Sequence, residues 1–379
     1  MPVAAFVYDD ALSRHVLRAD HPLRPHRLHL TYELLEAYGV FRRPEAQLVP
    51  PRMATEEEIG WFHTPEYVRV VRRLSGGEDV RTASAYNFSE YGDNPPFGGM
   101  YEAAALGAGA SLVAAQMVAR LRGATIAFNA AGGLHHAMPN RASGFCIFND
   151  PVIAIHYLLR RGLRVAYVDI DAHHGDGVQA AFYDTDRVLT ISLHESGRFL
   201  FPGTGEASEI GAGKGKGCAV NVPLYPSTTD DVYLWAFREV APPLVQAFRP
   251  DVLVTQLGID SHYLDPLTQL CLTTHGYTEA LRDFKGMGLP WLALGGGGYE
   301  LGMVARAWTL AYAIMLGLDL PDDIPAAYQE KYGIQKLRDS ASEPQVSEAA
   351  RRQAAEFARQ SVAEVKRMVF PYHGLRGII

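Results

Sequence analysis

Between Tyr167 and Gly177 the chain reads Y-V-D-I-D-A-H-H-G-D-G, which gathers Asp169, Asp171, His173 and Asp176 at the end of an apolar run. A buried strand should carry few charges, and carboxylates are tolerated there when they are paired or hold a metal. In an extended segment Asp169, Asp171 and His173 fall two apart and point to one side. Oxygen and nitrogen donors at that spacing suit a divalent ion such as zinc. A polar strand-end turn, with Gly175 and Gly177 supplying positive φ, is the plainer alternative.

Other stretches carry residues of the same kind: Gly132-Gly133-Leu134-His135-His136-Ala137, Gly258-Ile259-Asp260, and Gly295–Gly298 followed by Tyr299. Asp171, His173 and Asp260 would supply three ligands and leave open the position that catalytic zinc needs. Oxygen-rich ligation also fits Fe(II) or Mn(II). The ion would activate water and polarise a carbonyl, while one of His135 and His136 removes the water's proton. A tyrosine of ordinary pKa, near 10, stays protonated, so Tyr299 can donate a hydrogen bond to a tetrahedral oxyanion. The glycine run before it admits close backbone approach and gives the tyrosine room to swing. The chemistry indicated is metal-assisted hydrolysis.

Each of these stretches follows a short apolar run that reads as a strand, at 124–129, 164–170, 251–257 and 290–294, with further strands at 3–8 and 187–193. Helical patterns lie between, at 28–38, 101–120, 150–160, 176–183, 230–248 and 274–286. Thr55 with Glu58 has capping-box spacing, and a further helix starts after His63-Thr64-Pro65. The alternation predicts an α/β fold whose mainly parallel sheet carries helices on both faces. In such a sheet ligands sit beyond the carboxyl ends of the strands, where the four stretches converge. Residues 86–100, rich in breakers after Tyr91, form a loop long enough to be a functional rim. No linker or internal repeat divides the chain, so 1–379 reads as one domain. Its core runs to about 320, and an amphipathic helix through Val346–Val369 packs onto that core.

Composition is that of a globular enzyme, 48% hydrophobic and 20% charged. A net charge of −7 without a long basic run speaks against nucleic acid as the main partner. No stretch resembles a signal peptide or a membrane span. The three cysteines form no C-x-x-C pair, which fits buried thiols in a reducing cytoplasm.

GGLHHA, SGFCIFND, YVDIDAHHGDG, TISLHESGRFLFPGTG, GKGKGCAVNVPL, GIDSH and GGGGY follow one another in the order and spacing of the zinc-dependent histone deacetylase family. The resemblance runs from about Tyr8 to Gly317. HESGRFLFPGTG with AFRPDVLVTQLG is most similar to the bacterial acetoin-utilisation (AcuC) branch. The resemblance implies an arginase/deacetylase-like three-layer fold. It also implies removal of acetyl groups from lysine side chains of proteins, with acetyl-CoA synthetase a candidate target by family analogy.

By position, the resemblance makes Asp171, His173 and Asp260 the zinc ligands. His136 becomes the general base and acid with Asp176 behind it, and His135 its companion, paired with Asp169. Phe145 and Phe201 match the walls of a narrow tunnel, and Gly144 the carbonyl that meets the substrate amide. Asp93 matches a rim acid that grips substrate backbone, Leu267 the mouth, and Arg27 an inner channel for acetate. A potassium site matches Asp169, Asp171, His173, Ser192 and Leu193, and a second matches Phe182, Thr185, Val188 and Cys218. Departures are Tyr263 and Leu264, bulkier than is usual and able to narrow the mouth, and Ile259 in place of a smaller residue.

Three rival readings differ in chemistry. An arginase-type ureohydrolase would need bridging aspartates for two manganese ions, and the segment after Asp260 lacks the closely spaced second one. A deacetylase of small acetylated polyamines would share the catalytic set. A silent acetyl-lysine reader would have no use for a full set of ligands, histidines and tyrosine.

Overall fold

The computed structural model describes residues 4–119, 126–340 and 344–376. Eight strands form one sheet: β1 (Ala4–Val7), β2 (Ala46–Val49), β3 (Ile126–Asn129), β4 (Val165–Asp169), β5 (Val188–Glu195), β6 (Ala219–Leu224), β7 (Val252–Gln256) and β8 (Trp291–Leu294). Their order is β2-β1-β3-β8-β7-β4-β5-β6, and every pairing is parallel. Residues 3, 120, 124 and 125, where expected elements begin or end, lie outside the described residues.

Strand side chains alternate between two apolar layers. Ala166 and Val168 of β4 face a core shared with α1 (His26–Ala37), α7 (Asp230–Phe248), α8 (Thr274–Gly286), α9 (Leu301–Leu316) and α11 (Glu348–Met368). Val165 and Tyr167 face α4 (Met100–Val118), α5 (Asp150–Arg160) and α6 (Asp176–Phe182). Burial on both faces is why these strands read as continuous apolar runs. A satellite cluster packs α2 (Glu56–Ile59) and α3 (Pro65–Ser75) against α4. Thr55 caps α2 with both bonds of the expected capping box.

The tail crosses α10 (Ala326–Tyr332) before α11, which packs on β6 and α7 through Ala354, Ala358, Val362 and Val365. Ser361 in the same stripe donates to the Pro223 carbonyl at 2.7 Å. No described helix is long and apolar enough to cross a membrane.

Four elements escape the sequence reading. Strand β2 is a half-exposed edge without alternation, and β6 is interrupted by Asn221 and Pro223. Helix α9 is buried without a break from Met303 to Met315, so it has no polar face to reveal a helical period. Helix α10 spans under two turns.

The chain leaves β3 for β4, continues outward to β5 and β6, then returns to lay β7 and β8 between β4 and β3. A crevice opens at such a switch point, beyond the carboxyl ends of the strands. Strands β3, β8, β7 and β4 are neighbours there, and they end in the four stretches that carry the candidate residues.

Candidate functional site

Three donors from two loops meet first. His173 Nδ1 lies 3.0 Å from Asp171 Oδ1 and 2.9 Å from Asp260 Oδ2, with all three side chains buried. One ligand atom from each falls within 4.8 Å of the others, a grouping able to hold a metal ion. Burial opposes charge on all three, but the two carboxylates raise the imidazole well above its usual range. Burial and the Asp171 charge push Asp260 upward, whereas His135 and His173 hold Asp171 low.

Glycines bring the backbone against these carboxylates. A Cβ at Gly297 would fall 1.9 Å from Asp260 Oδ2, and one at Gly258 would fall 2.1 Å from Asp171 Oδ2. No other residue fits either position without moving a ligand. The remaining lone pairs are filled: Asp171 Oδ2 accepts from the Gly297 amide at 2.7 Å and from Gln256 Nε2 at 2.6 Å. Asp260 Oδ1 accepts from the Ala172 amide at 2.7 Å.

Each neighbouring histidine is backed by a carboxylate. His135 Nδ1 contacts Asp169 Oδ2 at 2.8 Å, and His136 Nδ1 contacts Asp176 Oδ1 at 2.7 Å. Tyr167 Oη also donates to Asp169, at 2.6 Å, which fixes that carboxylate for His135. The two Nε2 atoms lie 3.0 Å apart, facing the same pocket. Burial disfavours charge on both rings, yet Asp169 and Asp171 outweigh it at His135 and raise that pKa to about 9. Burial and the neighbouring His135 charge instead lower His136 to about 4. His135 is therefore the more basic ring of the pair and His136 the less basic one. Residues that titrate so far apart in one cleft can divide acid and base work.

The turn that carries both histidines hangs from Asn149 and Asp150, at the start of α5. Asn149 Nδ2 donates to the His135 and Ala137 carbonyls, each at 3.0 Å. Asp150 accepts the Gly133 and Leu134 amides at 3.0 and 2.9 Å, and the Ser111 hydroxyl at 2.5 Å. In the sequence Asp150 shows only as a helix start, and Gln256 carries no local signal.

Two phenylalanines stand over the pocket. The Phe201 ring meets His136 edge-on at 5.0 Å, and Phe145 meets Tyr299 at 5.7 Å. Phe145 follows Gly144, and both have positive φ, 70° and 47°. That backbone brings Gly144 so near that a Cβ there would lie 2.5 Å from the His136 ring. Leu267 is half-exposed beyond them, with its amide on Asp265 Oδ1. The Asp93 side chain is exposed on the 87–99 loop, while its carbonyl contacts His21 Nε2 at 3.1 Å; His21 in turn packs on Phe145.

Tyr299 is placed from both sides. Its amide donates to Asp265 Oδ2 at 2.8 Å. Arg27, buried over Trp308, donates to the Gly296 and Gly298 carbonyls at 2.7 Å each. Burial and the nearby carboxylates push the Tyr299 phenol well above its usual range, so it stays protonated. An apolar cavity of about 100 Å³ is lined by Arg27 and Leu28 of α1 together with Leu134 and Phe145.

The bulky residues on either side of Asp260 divide. Ile259 is buried against Gly298, Tyr263 stacks on His262, and Leu264 is exposed. His262 is itself buried, 2.7 Å from Asp339 Oδ2, and Asp339 Oδ1 takes Arg306 at 2.8 Å. The residues resembling potassium sites fall into two groups. Asp169 and Ser192 are register partners near Asp171, His173 and Leu193. Phe182, Thr185, Val188 and Cys218 lie toward the opposite ends of the strands.

Similarity to known proteins agrees with this geometry. Residues 21–315 match the histone deacetylase domain. The chain is 41% identical to acetoin utilization protein AcuC of Bacillus subtilis over 338 residues, 87% of this chain and 86% of that one. It is 40% identical to human histone deacetylase 1 over 84% of its own length and 66% of that protein's. A crystal structure of an HDAC homologue from Aquifex aeolicus superposes with a TM-score of 0.85 at 31% identity, covering 96% of this chain and 100% of that one. An HDAC homologue complexed with SAHA gives 0.86 at the same identity and coverage. With the fold, the sequence match and the buried ligand set in agreement, the chain belongs to the histone deacetylase family and is a metal-dependent deacetylase.

Proposed function

We propose that this enzyme hydrolyses acetyl-lysine on proteins, with zinc held by Asp171, His173 and Asp260. The observation that carries the reading is the buried nitrogen-and-two-oxygen donor set beside a histidine backed by a carboxylate. The donors fit zinc: the contacts of 2.9 and 3.0 Å approach the ~3.3 Å edge of a tetrahedron with bonds of about 2.0 Å. Bound there, the ion supplies Lewis acidity to an acetyl carbonyl and to water. Fe(II) or Mn(II) suit the same donors.

The chain's own groups do the rest. Phe145 and Phe201 form an apolar sleeve for the lysine methylenes, and the Gly144 carbonyl accepts the substrate amide hydrogen. Asp93 and Leu267 contact substrate at the rim. His136 offers its Nε2 lone pair to a water proton and later returns that proton to the departing amine. Asp176 holds the ring's other hydrogen on Nδ1 and steadies the imidazolium that forms. Protonated His135 and the Tyr299 hydroxyl stabilise negative charge on the former carbonyl oxygen. Acetate leaves through the cavity lined by Arg27.

We further assign potassium to the group of Asp169, Asp171, His173, Ser192 and Leu193 and to that of Phe182, Thr185, Val188 and Cys218. We take the whole chain as one deacetylase domain and place it in the cytoplasm, a reading supported by three cysteines that are all free. The test is turnover of an acetyl-lysine peptide beside N-acetylspermidine by the purified enzyme. Higher kcat/KM for the peptide is expected, and the reverse order would replace the protein substrate by a polyamine.

A further inference from the structure

The strand ends opposite the candidate site hold a second concavity. Loops entering β4, β5 and β6 meet the end of α7 and the Phe370–His373 turn around a cavity of about 440 Å³. Arg164, Lys214, Lys216 and Arg249 line it, against the single carboxylate of Asp186. Among the described residues none of these four cations forms an ion pair. Four like charges around one cavity repel, and a bound anion removes that cost.

Arg164 is fixed by packing, while Lys214, Lys216 and Arg249 present exposed side chains. The Arg164 guanidinium lies 4.2 Å over the Phe248 ring, and Arg249 is kept in a left-handed conformation at φ 52°. That conformation caps the end of α7, where the Arg249 amide donates to the Val245 carbonyl at 3.1 Å. Lys214 and Lys216 alternate with glycines in Gly213–Gly217, a motif the deacetylase site does not use. That loop is pressed between body and tail: a Cβ at Gly215 would lie 2.6 Å from the Tyr183 carbonyl, and one at Gly217 would lie 2.5 Å from Tyr372. His373 Nε2 closes the wall by donating to the Gly217 carbonyl at 2.8 Å. Tyr372 leaves half its surface exposed at the rim, available for a planar group.

We propose that this pocket binds a small ligand carrying a diphosphate, in addition to the substrate of the deacetylase site. Its volume falls in the roughly 300–1,000 Å³ range of small-molecule sites, and a chain of net charge −7 repels a long polyanion. A nucleoside diphosphate and inorganic pyrophosphate share the required chemistry, and they differ in use of the Tyr372 ring.

The test is calorimetric titration of the full-length protein with ADP, pyrophosphate, adenosine and a single-stranded oligonucleotide. Saturable binding of ADP and pyrophosphate, with none of adenosine, is expected; tighter ADP would assign a nucleotide, and equal affinity a plain diphosphate. A Lys214→Ala/Lys216→Ala variant should bind about tenfold or more weakly, the loss expected for charge-assisted contacts, while deacetylating peptide at the native rate. Arg249→Gly, which relieves the left-handed backbone and should fold at least as well, should weaken binding likewise. Binding of the oligonucleotide alone, absence of diphosphate binding, or native affinity in both variants would overturn the assignment.

Discussion

Gln256 Nε2 donates to Asp171 Oδ2 at 2.6 Å, the same oxygen that accepts the Gly297 amide. Its own Oε1 accepts the Gly258 amide at 2.7 Å, so one side chain ties a metal ligand to the turn leading to Asp260. Losing a group that orients a ligand typically costs about 10–100-fold in metal affinity. Gln256→Leu should therefore hold zinc that much more weakly in competition with a chromophoric chelator. Native affinity would show that the Gly297 amide alone suffices.

Tyr299 separates metal binding from turnover. Its phenol is protonated throughout the working pH range, because burial and nearby carboxylates oppose ionisation. Tyr299→Phe should retain zinc stoichiometry and lose about 10²–10³-fold in kcat, the usual cost of one oxyanion donor. Near-native turnover would remove the hydroxyl from the reaction.

Asp176 is placed to act through His136 Nδ1, 2.7 Å away. Asp176→Asn keeps the size of the side chain but removes the charge that steadies the imidazolium. A fall of about 10²–10⁴-fold in kcat, the range of general acid–base catalysis, is expected with KM little changed. A rise in KM at constant kcat would instead place Asp176 in substrate binding.

Asp339 is a stability device. His262 and Arg306 outweigh its burial and hold the carboxyl well below the usual range. Because the folded pKa is depressed, the stabilisation is complete above the unfolded value near 3.9 and is lost as pH falls through the folded one. Asp339→Ala leaves buried Arg306 unpaired and should cost about 3–5 kcal/mol in urea unfolding at pH 7. Its stability should also vary less with pH below 4 than that of the native chain. Equal stability at pH 7 would show that Thr274 and solvent replace the pair.

Legibility in the sequence followed the range of the interaction. Helix α8 is legible at its full bounds because its apolar residues recur with a helical period, and the structure adds Thr273 as its local cap. Asp171 and His173 were visible because they are two apart at a strand end. Gln256 was not, since its partner lies 85 residues away and a lone glutamine in an apolar strand carries no local signal. Helix α9 was hidden by uniform burial. The placement of Asp93 shows the same limit from the other side: its carbonyl, not its carboxylate, makes the contact that reaches Phe145 through His21.

The switch in strand order has a consequence for biosynthesis. His173 and Asp260 are 87 positions apart, and the second arrives on a strand threaded between two laid down earlier. A polypeptide emerging from the ribosome has no complete chelating centre until β7 and its trailing loop are inserted. Acquisition of the ion is therefore a late event, gated by closure of the middle of the sheet rather than by the first histidine to appear.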